Sequence, residues 1–414
     1  MKIALLVGLI ISAAILLAPP LARADASSVR TDTILPDTPA LTLVELTDLA
    51  LRRNPQTRLA WAALRSSEAG VELARAGYWP QIDATLTAQR NRSLNFSGLP
   101  SETQTRYGAS ISLSYLLWDF GSRGGLLDQA KFELASAQLS QAQILQDVIL
   151  QVEQAYYLVL GLQAVVAANR QSLNDAGTNL SAAQDRKTSG LATVGDIYNV
   201  EAALAGVKLA LQQSEGQLAI ARGQLAAAVG DSPDTLLPVA AWEEDITPLM
   251  PPQSVAELLA AARDARPELL AAKARERAAA ANIDVTRGRG LPSLNFAANT
   301  GRTHVVDVGE SSQFSALLSL NVPLFAGFGD RAALKQAEAQ RDTALATHDD
   351  LRSQVELQVW QAYQNLRTAS VTLDTSAAQL KSAQQAMDVS NARYRSGLNT
   401  ILDVLSTQTA LANA

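Results

Sequence analysis

The chain contains two copies of one unit, and this internal duplication restricts the folds open to it. The clearest match joins two short segments, in which Arg186, Ser189-Gly190-Leu191, Thr193 and Asp196 recur at the same spacing as Arg393, Ser396-Gly397-Leu398, Thr400 and Asp403. Each copy is expected to form the same elements in the same order. We therefore expect a first repeat at 41–230, a linker rich in proline and acids at 231–252, and a second repeat at 253–414 that lacks the end of its last helix.

The first 24 residues have the pattern of a cleaved signal peptide. An apolar run from Ile3 to Leu17 precedes the small-residue cleavage site Ala22-Arg23-Ala24. An uncleaved anchor is the alternative, but the run is shorter than the roughly 20 apolar residues of a spanning helix. The chain has no cysteine, so we expect export without a lipid anchor and a linker at 25–40. We expect no spanning helix in the mature protein.

Each repeat reads as a helix pair, two strands, a long helix, a tight turn and a return helix. In the first run of alternation, Ile82, Ala84 and Leu86 oppose Asp83 and Thr85, which predicts a strand with one apolar face. The polar stretches 91–105 and 302–312 read as loops between strands. From Gly124 to Lys187 apolar residues keep heptad spacing, which predicts a rod of about 95 Å. The predicted fold class is mainly α with a small β part.

Four short strands with one apolar face raise the question of how the sheet closes. Lipid tolerates no open sheet edge, and known outer-membrane barrels begin at about eight strands. A dimer or a trimer must therefore pool its strands if the sheet lies in a membrane. The alternative is a helical protein with ordinary soluble hairpins, which does not explain why helical rods flank each hairpin in duplicate.

Composition excludes several classes of function. The chain has no cysteine, two histidines and a net charge of -6, which leaves little metal, thiol or imidazole chemistry and no electrostatic footprint for nucleic acid. We expect no enzyme activity, metal site or cofactor. Gly327 and Gly329 superficially fit a dinucleotide fingerprint, but the following helix is far too long for a βαβ unit. With Gly121, these glycines read as strand-to-helix turns; His304 is expected in an external loop and His348 on a helix face among acids.

The whole mature chain resembles the TolC family of outer-membrane efflux and secretion channels. The resemblance rests on the duplicated unit, on both Ser-Gly-Leu turns, and on motifs beside the strands: Trp79-Pro80, Leu291-Pro292, Trp118-Asp119-Phe120-Gly121 and Phe325 to Arg331. It implies a homotrimer with a 12-stranded transmembrane β-barrel in outer-membrane lipid and an α-barrel of antiparallel coiled-coil helices crossing the periplasm of a Gram-negative bacterium. It also implies a periplasmic adaptor and an inner-membrane pump as partners, in an efflux pump or a type I secretion system.

A periplasmic coiled-coil adaptor or scaffold protein is the alternative function. Adaptors also present a long helical hairpin, but only one, followed by a β-rich domain. The present chain has two hairpins and ends in a helix.

The resemblance also assigns roles to residues near the tip turns. Asp403 matches an acid that narrows the periplasmic aperture, and Ser406 replaces a second acid, so one cation-selective ring of carboxylates is expected. Tyr394 and Asp196 match positions that link the coils of the closed entrance. Asn399 replaces a basic residue, which implies a looser closed state. The alternative for each is a solvated polar position near a helix end, and Asp196 is equally suited to compensating a helix dipole.

The two tip turns are expected to contact the adaptor. Their glycines supply the positive φ of the turn, and their leucines are left exposed. The residues concerned are Ser189, Gly190, Leu191, Ser396, Gly397 and Leu398.

Overall fold

The computed structural model describes residues 40–92, 103–239, 250–251 and 253–414. The predicted signal peptide, the linker at 25–40 apart from its last residue, and half of the linker at 231–252 lie outside these residues. Within them the protein is mainly helical with four antiparallel strands, and the predicted fold class is confirmed.

The same order of elements occurs twice. The first set is α1 (Leu43–Arg53), α2 (Pro55–Ala76), β1 (Gln81–Arg92), β2 (Thr103–Trp118), α3 (Ser122–Thr188) and α4 (Val194–Val229). The second set is α5 (Val255–Ala265), α6 (Pro267–Arg289), β3 (Ser293–Val305), β4 (Gly309–Asn321), α7 (Gly329–Arg395) and α8 (Ile401–Asn413).

The corner between α1 and α2 is fixed by local signals and by the end of α4. Pro55 occupies the first turn of α2, where a missing N–H is harmless. Asn54 caps that helix, and its amide nitrogen donates to the Ala228 carbonyl at 2.8 Å. Gly230 has φ 95°, and a Cβ there would lie 2.8 Å from the Asn54 Cα. A side chain at Gly230 would therefore push the corner away from α4.

The long helix α3 is the central element of the structure. Its 67 residues extend about 100 Å at 1.5 Å per residue, and it packs against α2, α4 and α6. Glycines allow the closest approach to α6: a Cβ at Gly288 would lie 2.8 Å from the Ser122 Cβ, and one at Gly125 would lie 2.9 Å from the Val285 nitrogen. Small residues thus bring these backbones together.

The same helix contains an 18-residue window with a mean hydropathy of 1.3, so by length and composition it is apolar enough to cross a membrane. The expectation that no helix of the mature protein spans a membrane stays a prediction, because length and composition do not show that α3 crosses one. Isolated polar residues such as Gln163 interrupt the apolar run of α3 but change its window average little. Long apolar helices that pack against others reach the same average.

Arg123 ties the end of β2 to the start of α3. Its guanidinium lies 3.4 Å from the Asp119 carboxylate and donates to the carbonyls of Leu116 at 2.6 Å and Gly77 at 3.2 Å. It also lies 4.9 Å from the centre of the Tyr78 ring. The turn from strand to helix is thus held by one mostly buried cation.

The strands form one antiparallel sheet in the order β1-β2-β3-β4, so the two repeats meet where β2 pairs with β3. Cross-strand register keeps apolar residues on one face and polar residues on the other. Ile82 pairs with Leu113, and Phe296 pairs with Leu318. On the other face Ser112 lies between Asp83 and Asn299. Strands β1 and β4 are the edges of this sheet.

The predicted loops at 91–105 and 302–312 were too long. Strand β1 continues to Arg92, β2 begins at Thr103, and β3 and β4 leave only residues 306–308 between them. Residues 93–102 lie outside the described residues. His304 therefore belongs to a strand and pairs with Glu310. The prediction failed because both faces are polar at this end, so the alternation disappears while backbone pairing continues.

Candidate functional site at the helical tips

The hairpins α3–α4 and α7–α8 end in turns of the same geometry. Gly190 has φ 71° and Gly397 has φ 79°, a region that residues with a Cβ avoid. The residue after each glycine donates its N–H back to the last turn of the helix, in the pattern of a Schellman motif. These bonds are Leu191 to the Arg186 carbonyl at 2.8 Å and Leu398 to the Arg393 carbonyl at 2.8 Å.

The turns present apolar and hydroxyl side chains to the outside. Leu191 is 67% exposed and Leu398 is 75% exposed. The hydroxyls of Ser189 and Ser396 donate to carbonyls of their own helices, at 3.0 Å to Asp185 and 2.7 Å to Ala392. The serines thereby cap helix ends and the leucines are left uncovered in the single chain.

Asp403 lies in a capping box at the start of α8. Its Oδ2 accepts from the Thr400 N–H at 2.9 Å and from the Thr400 hydroxyl at 2.7 Å, while its own N–H faces the Thr400 hydroxyl at 3.4 Å. The Thr400 hydroxyl, and then its backbone N–H, lower the pKa of the Asp403 carboxyl below its usual range. The side chain is exposed, so a stably ionised carboxylate faces solvent at the tip.

Asp196 has the same arrangement at the start of α4. Its Oδ2 accepts from the Thr193 N–H at 2.7 Å and from the Thr193 hydroxyl at 2.9 Å. No hydrogen bond joins Asp196 to Asp403 within the described part of the chain. The structure therefore gives each acid a helix-capping contact of its own.

Tyr394 is buried in a core that both hairpins share. The cluster takes residues from α3, α4, α7 and α8: Ala183, Ile197, Val200, Met387, Tyr394, Ile401 and Val404. Above this core, the Asn179 amide donates to the Gln408 side chain at 2.8 Å. The tips of the two hairpins are thus packed together within one chain.

Arg186 is the main polar link between the hairpins. Its guanidinium lies 4.6 Å from the centre of the Tyr394 ring, and Nη1 donates to the Tyr394 carbonyl at 2.8 Å. Burial raises the pKa of Tyr394; the Arg186 charge lowers this pKa and the Asp196 charge raises it. The Tyr394 hydroxyl is buried and has no hydrogen-bond partner among the described residues.

Sequence reasoning missed Arg186. Arg186 and Arg393 occupy the same position in the two copies of the tip motif, so the sequence does not distinguish them. Only the contacts of the fold distinguish the arginine that packs on Tyr394.

The remaining predicted residues near the tip have few contacts. Ser406 is exposed one turn after Asp403 on α8. Asn399 is half-buried, and its side chain makes no hydrogen bond within the described residues. The basic residue that the resemblance expects at Asn399 is therefore not replaced by an amide contact.

The strand-to-helix turns only partly follow the prediction. Gly121 has φ 96° and caps α3, and Gly327 has φ 61°. Gly329 is the first residue of α7 and does not have a positive φ, so the turn makes no conformational demand on it. Phe120 and Phe328 adopt the left-handed conformation beside these glycines, with φ 51° and 66°.

Comparison with known proteins gives a consistent family. The sequence model of the family described as outer membrane efflux protein matches residues 46–231 and 258–414. Protein CyaE of Bordetella pertussis is 32% identical over 378 residues, which cover 89% of this chain and 78% of that protein. Outer membrane protein TolC of Vibrio cholerae is 27% identical over 384 residues, which cover 90% of this chain and 85% of that protein.

A solved structure has the same fold. The outer membrane protein VceC from Vibrio cholerae superposes with a TM-score of 0.78 at 22% identity, over 90% of each chain. Together these findings confirm the resemblance to the TolC family. The chain belongs to the outer membrane efflux protein family and is an outer-membrane channel component.

Proposed function

We propose that three copies of this chain close one 12-stranded barrel, and that their long helices continue it as a tunnel through the periplasm. The sheet carries the proposal, because it has one apolar face, one polar face and two edges, β1 and β4. Four strands are about half of the smallest known barrel. Eight strands give an interior that side chains fill, whereas twelve leave room for a conduit.

In this proposal the chain is the passive outer-membrane conduit of a tripartite efflux pump or of a type I secretion system. A cleaved signal peptide at 1–24 directs export and no lipid is attached; the linker at 25–40, the repeat at 41–230, the linker at 231–252 and the incomplete repeat at 253–414 follow it. The alternative of a periplasmic adaptor is set aside, because the matched family consists of outer membrane efflux proteins.

Cysteine crosslinking tests the trimer. The chain has no native cysteine, so pairs placed on the two edge strands report only on contacts between copies. Cysteines at Ile82, Ala84 or Leu86 in β1, each combined with Ala316→Cys in β4, are expected to give covalent trimers on a denaturing gel. Ala84→Cys with Ile111→Cys is the matched control, because these residues face each other within one chain. A series that ends at dimers would contradict the proposal.

The adaptor is proposed to contact the exposed tips. Leu191 and Leu398 offer uncovered apolar surface on otherwise polar turns. Cysteines at Ser189 and Ser396, which avoid the positive φ of the glycines, are expected to crosslink to the adaptor of the same pump. Ser66→Cys, exposed on α2, is the control. Equal crosslinking from Ser66 would remove the tips from this role.

The aperture is proposed to lie at the same tips. Three exposed Asp403 carboxylates form one ring, and Ser406 leaves the next turn uncharged. Tyr394 and Asp196 hold the entrance closed. Arg186 on α3 contributes by packing on Tyr394 of the other hairpin. The lack of a basic residue at Asn399 loosens this closed state. The exposed, ionised carboxylate of Asp403 supports the ring.

A further inference from the structure

The apolar face of the sheet changes character along its length. Near the helices its residues are uncharged and apolar, and the register places Ile82, Leu113 and Ala298 side by side. At the hairpin end the same alternation continues with arginines, Arg90 and Arg92 on β1 and Arg302 on β3. On β1 the first charged residue of this face is Arg90, which follows Ala88, and on β3 it is Arg302, which follows Thr300.

We propose that this basic end binds the phosphate groups of the phosphorylated glycolipid, lipopolysaccharide, in the outer leaflet. The proposal rests on the barrel of the proposed function, which turns the apolar face toward lipid. Arg90 pairs with Thr105, and Arg302 lies between Ala109 and Ser312. Both arginines are exposed, and neither forms an ion pair with another described residue. Their neighbours in register are small or hydroxyl-bearing, so they do not cover the guanidinium groups.

The position of these arginines has an energetic consequence. An arginine on the lipid face of a barrel costs about 2–4 kcal/mol at the bilayer midplane and about 0–1 kcal/mol near the interface. Arg90 and Arg302 therefore mark the level of the headgroups. An interface alone would accept any polar residue, whereas a guanidinium offers a fork that binds phosphate through two parallel hydrogen bonds.

The two ends of the face differ in kind. At the helical end the exposed residues flanking the strands include the aromatic side chains of Trp79, Trp118 and Phe325. At the hairpin end the face has Arg90, Arg92, Arg302 and His304, and its acid Glu310 pairs with His304. Among the described strand residues of this face, the basic ones therefore lie at the hairpin end, away from the helices. This asymmetry matches a leaflet of phosphorylated glycolipid outside and glycerophospholipid inside.

The polar face provides a matched control at the same height. Arg106 pairs with Gln89 and Val305, close to Arg90 along the sheet. It belongs to the opposite face and donates to the Gln104 side chain at 2.9 Å. Arg106→Gln removes the same charge from the lumen side, without changing the lipid side.

The test measures lipid bound to purified trimers. Delipidated wild type, Arg90→Gln/Arg302→Gln and Arg106→Gln are incubated with purified lipopolysaccharide or, separately, with phosphatidylglycerol, and retained lipid is quantified by mass spectrometry. Wild type and Arg106→Gln are expected to retain lipopolysaccharide equally. The double variant is expected to lose about tenfold in affinity, because two charge-assisted sites are removed.

Three results would overturn the proposal: undiminished lipopolysaccharide binding by the double variant, an equal loss in Arg106→Gln, or equal retention of phosphatidylglycerol by wild type. Edge-strand crosslinking and bilayer conductance of the same preparations show separately whether the barrel forms. If the trimers conduct but the double variant retains as much lipopolysaccharide as wild type, lipid binding by this surface is refuted and the proposed function is not. Failure of wild type to form trimers refutes the proposed function and this surface with it.

Discussion

Replacing Arg123 with methionine is expected to lower the free energy of unfolding by about 3 kcal/mol. The Arg123 and Asp119 side chains are only 14% and 13% exposed, and removal of one member of a mostly buried pair leaves the other charge uncompensated. The substitution also removes the donors to the carbonyls of Leu116, Leu117 and Gly77. The loss of stability is measured as a lower midpoint of thermal unfolding in detergent, which is detected by the change in gel mobility on heating.

Arg75→Met provides the matched comparison. Arg75 forms a shorter ion pair with Glu72, at 2.7 Å, but the two side chains are 54% and 69% exposed. Exposed pairs contribute about 0–1 kcal/mol, so this variant is expected to remain close to wild type. Equal effects of the two substitutions would show that burial does not give Arg123 its role at the strand-to-helix turn.

Much of the fold could be predicted because its signals are periodic or local. The helix pair expected at the start of each repeat is present as α1–α2 and α5–α6, and Pro55 and Pro267 occupy the first turns of α2 and α6. The strand ends could not be placed, because apolar alternation reports the burial of one face and stops where both faces are polar. Backbone pairing has no such requirement and continues past it.

The site was harder to predict than the fold. Thr400 followed three residues later by Asp403 is a capping signal in the sequence, whereas the family resemblance assigns Asp403 to a channel aperture. The contact of Arg186 with Tyr394 has no local signal, since it joins residues 208 positions apart. Such contacts depend on which faces of two long helices meet, which a repeated motif does not specify.

The capping box changes how the aperture is best tested. Asp403→Ala would remove the charge and a helix cap together, so an altered channel would have two explanations. Asn keeps a carbonyl oxygen in the place of Oδ2 and still accepts from Thr400, so Asp403→Asn removes the charge while preserving the box. We expect Asp403→Asn channels to lose most of their preference for cations in planar bilayers, because three negative charges leave the narrowest part of the path.

The lowered pKa of Asp403 fixes the expected pH dependence. A carboxyl with a lowered pKa stays ionised at pH values within its usual pKa range. It is protonated only as the pH falls through the lowered value. In a ring, the mutual repulsion of three carboxylates raises their pKa and the Thr400 hydrogen bonds oppose that rise, so wild-type cation preference is expected at neutral pH and is expected to fall as acid protonates the ring. Glu257→Gln is the control, because Glu257 sits in an equivalent capping box with Ser254 at the start of α5. Both substitutions remove one negative charge per chain, but only Asp403→Asn removes the proposed ring. An equal loss of cation selectivity in the two variants would show that overall charge causes the effect, and would refute a ring at Asp403.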